Sequence, residues 1–233
     1  MGEFNDRVVV ITGASSGIGR RTAERFVEAG ARVAVFARRG DSLLELASQA
    51  PLRILAIPGD VGDESAVDRL FDETESQFGP VDIVANCAGI VDPKPVAETT
   101  VAEWDRMFAV HVRGIFLTSR RAIRSMRTRG GAIVNVASIS GIPGPQKFPG
   151  FVSYCASKGA VIALTEALAV ELKEEGIRVN AVSPGSVETP MLRQASSSLV
   201  PEMTADEVAE VILFLASERS RPINGQNLHV FSA

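Results

Sequence analysis

Seven short runs of this chain are apolar at almost every position rather than at every second one: Val8 to Ile11, Val33 to Phe36, Ile54 to Ile57, Ile83 to Ala85, Ile133 to Val136, Val179 to Val182 and Leu228 to Phe231. A strand with one wet face alternates apolar and polar residues. Strands that do not alternate must be covered on both faces, as in a parallel sheet. Longer stretches between the runs repeat apolar residues at helical spacing, as at Ala66, Leu70, Phe71 and Thr74, or at Val208, Val211, Ile212 and Leu215. Strand and helix alternating through short polar joints predict a doubly wound α/β sheet with helices on both faces. No linker, low-complexity tract or break in composition divides residues 1–233, which read as one domain.

One helical stretch, Tyr154 to Gly176, is apolar on more than one side. Val161, Leu164, Leu168 and Leu172 fill one face, while Ile162, Ala163, Ala167 and Val170 make others apolar too. Such a helix needs cover from two directions. The sheet supplies one and a second subunit the other, so a homodimer or homotetramer is expected; otherwise its small alanines simply tolerate water.

Composition narrows the partners. A net charge of −4 gives no electrostatic reason to expect nucleic acid or an anionic membrane. No apolar stretch is long enough to span a bilayer, and Met1-Gly2-Glu3-Phe4-Asn5-Asp6 does not read as a signal peptide. Cys87 and Cys155 sit inside otherwise regular segments, as reduced thiols of a cytoplasmic protein do. With two histidines and no Cys/His cluster, no metal site is expected.

Directly after the first run comes Thr12-Gly13-Ala14-Ser15-Ser16-Gly17-Ile18-Gly19, then a helical segment. Glycines there let the backbone turn tightly and approach a pyrophosphate, and the helix start offers free N–H groups to the anion. This strand–turn–helix setting reads as a Rossmann-type dinucleotide site. An acid near the end of the second strand selects the non-phosphorylated cofactor. Here that stretch is Val35-Phe36-Ala37-Arg38-Arg39-Gly40, with no acid before Asp41. Guanidinium groups match a 2′-phosphate in charge and geometry, so NADP is expected, with NAD as the alternative if the arginines are only a solvated turn.

Tyr154, the only tyrosine, stands four positions before Lys158. On a helix the two share a face, and the ammonium favours the phenolate, drawing the phenol toward neutrality. The pair then suits proton exchange between an alcohol and a carbonyl. The plainer alternative is a helix-start tyrosine bonded to backbone, with a solvated lysine.

Taken together, these motifs resemble the classical short-chain dehydrogenases/reductases along essentially the whole chain, with a generic likeness to beta-ketoacyl carrier-protein reductases. Gly13, Ser15, Ser16, Gly17, Ile18 and Gly19 are similar to that family's cofactor loop, and Asp60-Val61 to its adenine contact. Asn86-Cys87-Ala88-Gly89 resembles its Asn-Asn-Ala-Gly, with Asn86, Ala88 and Gly89 as cofactor residues. Pro184, Gly185, Val187 and Thr189 resemble the segment that holds the nicotinamide carboxamide. The resemblance implies a small carbonyl or alcohol substrate. It makes Ser138 the group that binds the substrate oxygen and Tyr154 the acid/base. Lys158 lowers the tyrosine pKa and holds the nicotinamide ribose.

Two departures stand out. His111 occupies the place of the family's asparagine, which with its backbone carbonyl organises a water behind the lysine. Its imidazole either sustains that relay or displaces the water and slows turnover. The stretch between Thr189 and Ala205 is short and serine-rich, which predicts an open substrate pocket, part-covered by the Pro- and Gly-rich loop that carries Phe148 and Phe151. These departures also leave room for a second class of function, a dinucleotide-binding regulatory or scaffold protein with weak catalysis.

Overall fold

In the computed structural model, which describes residues 2–144, 147–195 and 199–231, each apolar run lies on a strand. The strands are β1 (Val8–Thr12), β2 (Arg32–Ala37), β3 (Ile54–Pro58), β4 (Ile83–Asn86), β5 (Gly131–Val136), β6 (Ile177–Pro184) and β7 (Asn227–Val230). They form one parallel sheet in the order β3-β2-β1-β4-β5-β6-β7. The winding direction reverses between β1 and β4, and a crevice opens there beyond the carboxyl ends of the strands.

The helices are α1 (Gly17–Glu28), α2 (Gly40–Gln49), α3 (Glu64–Phe78), α4 (Val101–Phe108), α5 (Gly114–Met126), α6 (Val152–Glu171), α7 (Pro190–Ala195) and α8 (Ala205–Ala216). Alternate strand residues point to opposite faces, which gives two cores. Val9, Ile11, Val33 and Val35 pack with Phe26 of α1, Leu43 and Leu46 of α2 and Ile212 of α8. Val8, Val10, Ala34 and Phe36 pack on the other face with Leu70 and Phe71 of α3 and Leu117 and Met126 of α5. The helical spacings read from the sequence are therefore the buried faces of α3 and α8.

α4 and α5 are joined without a break by a π-helical segment, Ala109–Arg113, which carries His111. Such an insertion widens one turn and re-aims the side chains it bears. Among the described residues no helix is long and apolar enough to cross a membrane.

The α6 face expected to be buried is covered unevenly: Val161 and Leu172 are buried, and Leu164 and Leu168 pack half-covered against the core. Ser157, Thr165 and Ala169 are buried as well, whereas Val170 is 80% exposed. The reason is polar. Asn135, the one polar residue inside the β5 run, donates to Thr165 Oγ1 at 3.0 Å and accepts from Asn86 Nδ2 at 2.9 Å. Thr118 of α5 in turn donates to Asn86 Oδ1 at 2.8 Å. All four side chains are buried, so each hydrogen bond is costly to break, and the chain fixes α5 and α6 to the ends of β4 and β5. Replacement of Asn135 by alanine strands the Asn86 amide, and urea titration should show a loss of about 2–3 kcal/mol with little change in m.

Candidate active site

The crevice is a cavity of about 830 Å³ that runs from the β1–α1 turn to α6 and α7. Gly13 has φ +70° and lies so close to β4 that a Cβ would sit 2.7 Å from Ala88 N and Cys87 O. Gly19 approaches the Gly13 carbonyl, where a Cβ would fall at 2.5 Å. At Gly17, φ +57°, a Cβ would meet the Thr189 methyl at 2.9 Å. Side chains are thus excluded from this turn by contact, not by preference alone. Ser16 precedes α1 in extended conformation and its side chain does not cap the helix, so the first N–H groups stay open to an anion. This bare cradle fits the pyrophosphate of a dinucleotide.

At the same end, Arg39 donates to Ser15 Oγ at 2.9 Å and to Ser16 Oγ at 2.7 Å. Arg38 and Arg39, the expected cofactor-binding arginines after β2, both line the cavity. Asp60 accepts from Arg106 Nη2 at 2.7 Å and from Gly62 N at 2.9 Å. Burial works to raise the Asp60 carboxyl, but the Arg106 and Gly62 hydrogen bonds overcome it and hold the group below the usual carboxylate range. Arg106 was not foreseen. Its partner lies two residues beyond β3, and nothing in the local sequence links the two.

At the other end stand Ser138, Tyr154 and Lys158. Ser138 follows β5 in extended conformation, is 8% exposed, and accepts the Ser140 N–H at 3.1 Å. The turn after it lies against α6 so tightly that a Cβ on Gly141 would be 2.6 Å from the Lys158 carbonyl carbon. This contact sets Ser138 beside the first turns of α6, where Tyr154 is. Lys158 is 4% exposed, donates to the Val136 carbonyl at 2.7 Å, and has Nζ 5.8 Å from the Tyr154 ring centroid.

The expected effect of Lys158 on Tyr154 is not what the geometry gives. Burial pushes the Tyr154 phenol above its ordinary value, and the Ser138 hydroxyl only partly opposes this. The ammonium is turned to Val136, so desolvation of the phenolate outweighs its charge. Lys158 itself is brought down to about 8 by burial.

Two expected site residues lie behind the wall rather than on it: Asn86, committed to the network below the sheet, and His111. His111 is fully buried; its Nε2 accepts the Ile90 N–H at 2.9 Å and its Nδ1 is 2.8 Å from Ser157 Oγ. Ser157 donates to the Tyr154 carbonyl at 2.9 Å, which leaves His111 Nδ1 as the donor to Ser157. Burial, then the nearby Lys158 charge, keep the imidazole well below its ordinary pKa and neutral. Its ring meets the Tyr154 ring edge-on at 5.5 Å. Ser157 was overlooked in the sequence, although its place one residue before Lys158 was a signal. The remaining expected residues, Ser15, Ile18, Val61, Gly89, Pro184, Gly185 and Val187 among them, all line the cavity.

The flap after β6 is closed at its base. Val187 pairs with Met203, the Glu188 N–H donates to the Met203 carbonyl at 2.8 Å, and Glu202 N donates to Ser186 O at 2.9 Å. Thr189 donates to the Val187 carbonyl at 3.2 Å, and Gln194 of α7 reaches the Val91 carbonyl at 3.1 Å. The short flap therefore holds a six-residue helix, which the sequence did not suggest. Residues 196–198 of the flap and 145–146 of the facing loop, parts of both expected covers, lie outside the described residues.

The buried Lys158 charge gives a test of this geometry. Its folded pKa, about 8, is below the ordinary 10.5, so charge burial costs stability below about pH 8, and the cost is relieved as pH rises toward 10.5. Lys158→Met should therefore be more stable than the parent at neutral pH by up to about 3 kcal/mol, with the gap closing at alkaline pH. Thermal or urea unfolding across that range reads it directly.

Comparison with known proteins places this geometry in a family. A family model described as enoyl-(acyl carrier protein) reductase matches residues 13–231. The chain is 38% identical to 2-(R)-hydroxypropyl-CoM dehydrogenase of Xanthobacter autotrophicus, over 95% of this chain and 96% of that one. It is 39% identical to cis-4-hydroxycyclohexanecarboxylate dehydrogenase of Sinomonas cyclohexanicum, over 99% and 97%. A crystal structure of 3-ketoacyl-(acyl-carrier-protein) reductase from Brucella melitensis complexed with NADH superposes with a TM-score of 0.91 at 33% identity, covering 97% of both chains. The glycine cradle, the Ser138–Tyr154–Lys158 cluster and these likenesses along the whole chain agree: it belongs to the short-chain dehydrogenase/reductase family, oxidoreductases that act on alcohols and ketones.

Proposed function

We propose that this protein is an NADP(H)-dependent oxidoreductase that interconverts a ketone and a secondary alcohol, with Tyr154 as the general acid/base. The observation that carries the reading is that one cavity is lined by the bare glycine turn, by Arg38 and Arg39, and by Ser138, Tyr154 and Lys158. When bound, the nicotinamide supplies or accepts the hydride. Gly13, Gly17 and Gly19 leave room for its pyrophosphate, with Ser15, Ser16 and Ile18 beside them. Asp60, Val61, Ala88 and Gly89 would hold the adenosine side of the cofactor, and Pro184, Gly185, Val187 and Thr189 the nicotinamide side. Lys158 holds the ribose. Asn86 serves from below, keeping β4 in place.

Ser138 donates to the substrate oxygen and stabilises the charge that develops there. Tyr154, its phenol held above the ordinary value by burial, delivers its proton to that oxygen in reduction and takes it back in oxidation. His111 is a positioning residue: Nε2 is committed to the Ile90 N–H and the protonated Nδ1 to Ser157, so the neutral imidazole braces the start of α6 and relays no proton. The phosphorylated cofactor is favoured because β2 ends without an acid and Arg39 is held by serine hydroxyls, not by a carboxylate. The half-covered outer side of α6 suits a homodimer or homotetramer, and the chain acts as one cytoplasmic catalytic domain. A purely regulatory role is disfavoured by the intact cluster of Ser138, Tyr154 and Lys158.

Titration with NADPH and with NADH, followed by nicotinamide fluorescence, tests the cofactor. NADPH should bind at least about tenfold tighter, and Arg39→Ala should remove about 1.4 kcal/mol of that preference while moving NADH far less. Equal affinities would point to NAD. In steady-state ketone reduction, Tyr154→Phe should lower kcat by about 10²–10⁴ while nucleotide binding persists.

A further inference from the structure

The substrate end of the cavity is lined by Phe148 and Phe151 and by the flap. Phe148, Phe151 and Tyr154 form a ladder of rings, with successive centroids 5.8 Å and 5.9 Å apart, leading from a 44% exposed Phe148 down to the reacting phenol. The flap adds Met191, Leu192, Leu199 and Val200 to the same cavity.

Charge is unevenly distributed along it. Arg38, Arg39 and Arg106 lie at the far end, near Ser15 and Asp60, and Lys158 is buried beneath Tyr154. At the substrate end, apart from the buried Lys158 that is turned to the Val136 carbonyl, the one charged side chain among the described lining residues is an acid, Glu202, placed beside Gly185. Lys147, the cation of the facing loop, is engaged: its Nζ donates to the Ser140 carbonyl at 2.6 Å and to the Ile142 carbonyl at 2.5 Å. Arg193 on α7 is exposed and does not line the cavity.

From this distribution we infer that the substrate is a neutral, ring-sized apolar ketone or its alcohol, packed against Phe151 and Phe148, and that ketones with a short anionic tail are rejected. The inference rests on the oxidoreductase reading above and adds the substrate class. An apolar ring gains by leaving water against aromatic and aliphatic walls. A carboxylate in the same place loses its hydration, finds no counter-charge, and meets Glu202. Discrimination is the difference between those two outcomes.

A matched pair reads it: 4-methylcyclohexanone against 4-oxocyclohexanecarboxylate, reduced with NADPH after binding of NADPH has been established. The neutral ring should have the higher kcat/KM by about tenfold or more, and Glu202→Gln should narrow the ratio severalfold. Phe151→Ala, with the exposed Phe148→Ala as a variant that cannot disturb the core, should raise KM for the ring by about tenfold and for acetone much less. Equal or better use of the carboxylate, or no reduction of either ring by a protein that binds NADPH, overturns the substrate class and leaves the cofactor reading standing. Failure to bind either nucleotide overturns both.

Discussion

The architecture turns on how closely β1 and β4 approach where the sheet reverses its winding. Gly13 leaves β1 with a positive φ and brings its backbone within a few ångströms of Cys87 and Ala88 at the end of β4. A side chain in place of Gly13 would force the two apart. That single contact brings the start of α1, the β4 exit and the flap base around one crevice. Thr189 closing over Gly17 completes it, so both places proposed to hold the cofactor are set by the same bare turn.

The catalytic end is held by a different kind of force. Its apolar contacts are spread over broad faces, but its register is fixed by buried polar pairs: Asn86 to Asn135 to Thr165 below, and Ile90 to His111 to Ser157 beside Tyr154. Apolar packing tolerates small shifts, whereas a buried hydrogen bond has one good geometry. The π-helical segment is what turns His111 inward to reach both partners. Burial also sets the protonation states, raising Tyr154, lowering Lys158 and keeping His111 neutral.

Much of this was legible in the sequence because it is local or periodic. All seven strands follow from runs that do not alternate, and the glycine turn from its place after the first of them. Tyr154 and Lys158 are one helical turn apart, so their neighbourhood needed no tertiary knowledge. What was missed depends on distance along the chain. Arg106 meets Asp60 across 46 residues, and the buried side of α6 is chosen by Asn135, 30 residues before Thr165. The sign of the Tyr154 shift was also out of reach, since it depends on how deeply the phenol is buried and where the ammonium points, neither of which spacing reveals.

The pinned base of the flap has a consequence for how this protein can change. Because Val187–Met203 pairing holds the two ends together independently of what lies between, the intervening stretch resembles a loop tied off at its neck. Closing a longer loop on a fixed neck costs little, growing only with the logarithm of its length. Insertions or exchanges between Thr189 and Glu202 therefore alter what enters the crevice while leaving β6, α8 and the proton-transfer groups where they are. In the proposed reaction the flap's share of substrate choice is thus separable from Ser138, Tyr154 and Lys158, and the boundary is a pair of backbone hydrogen bonds.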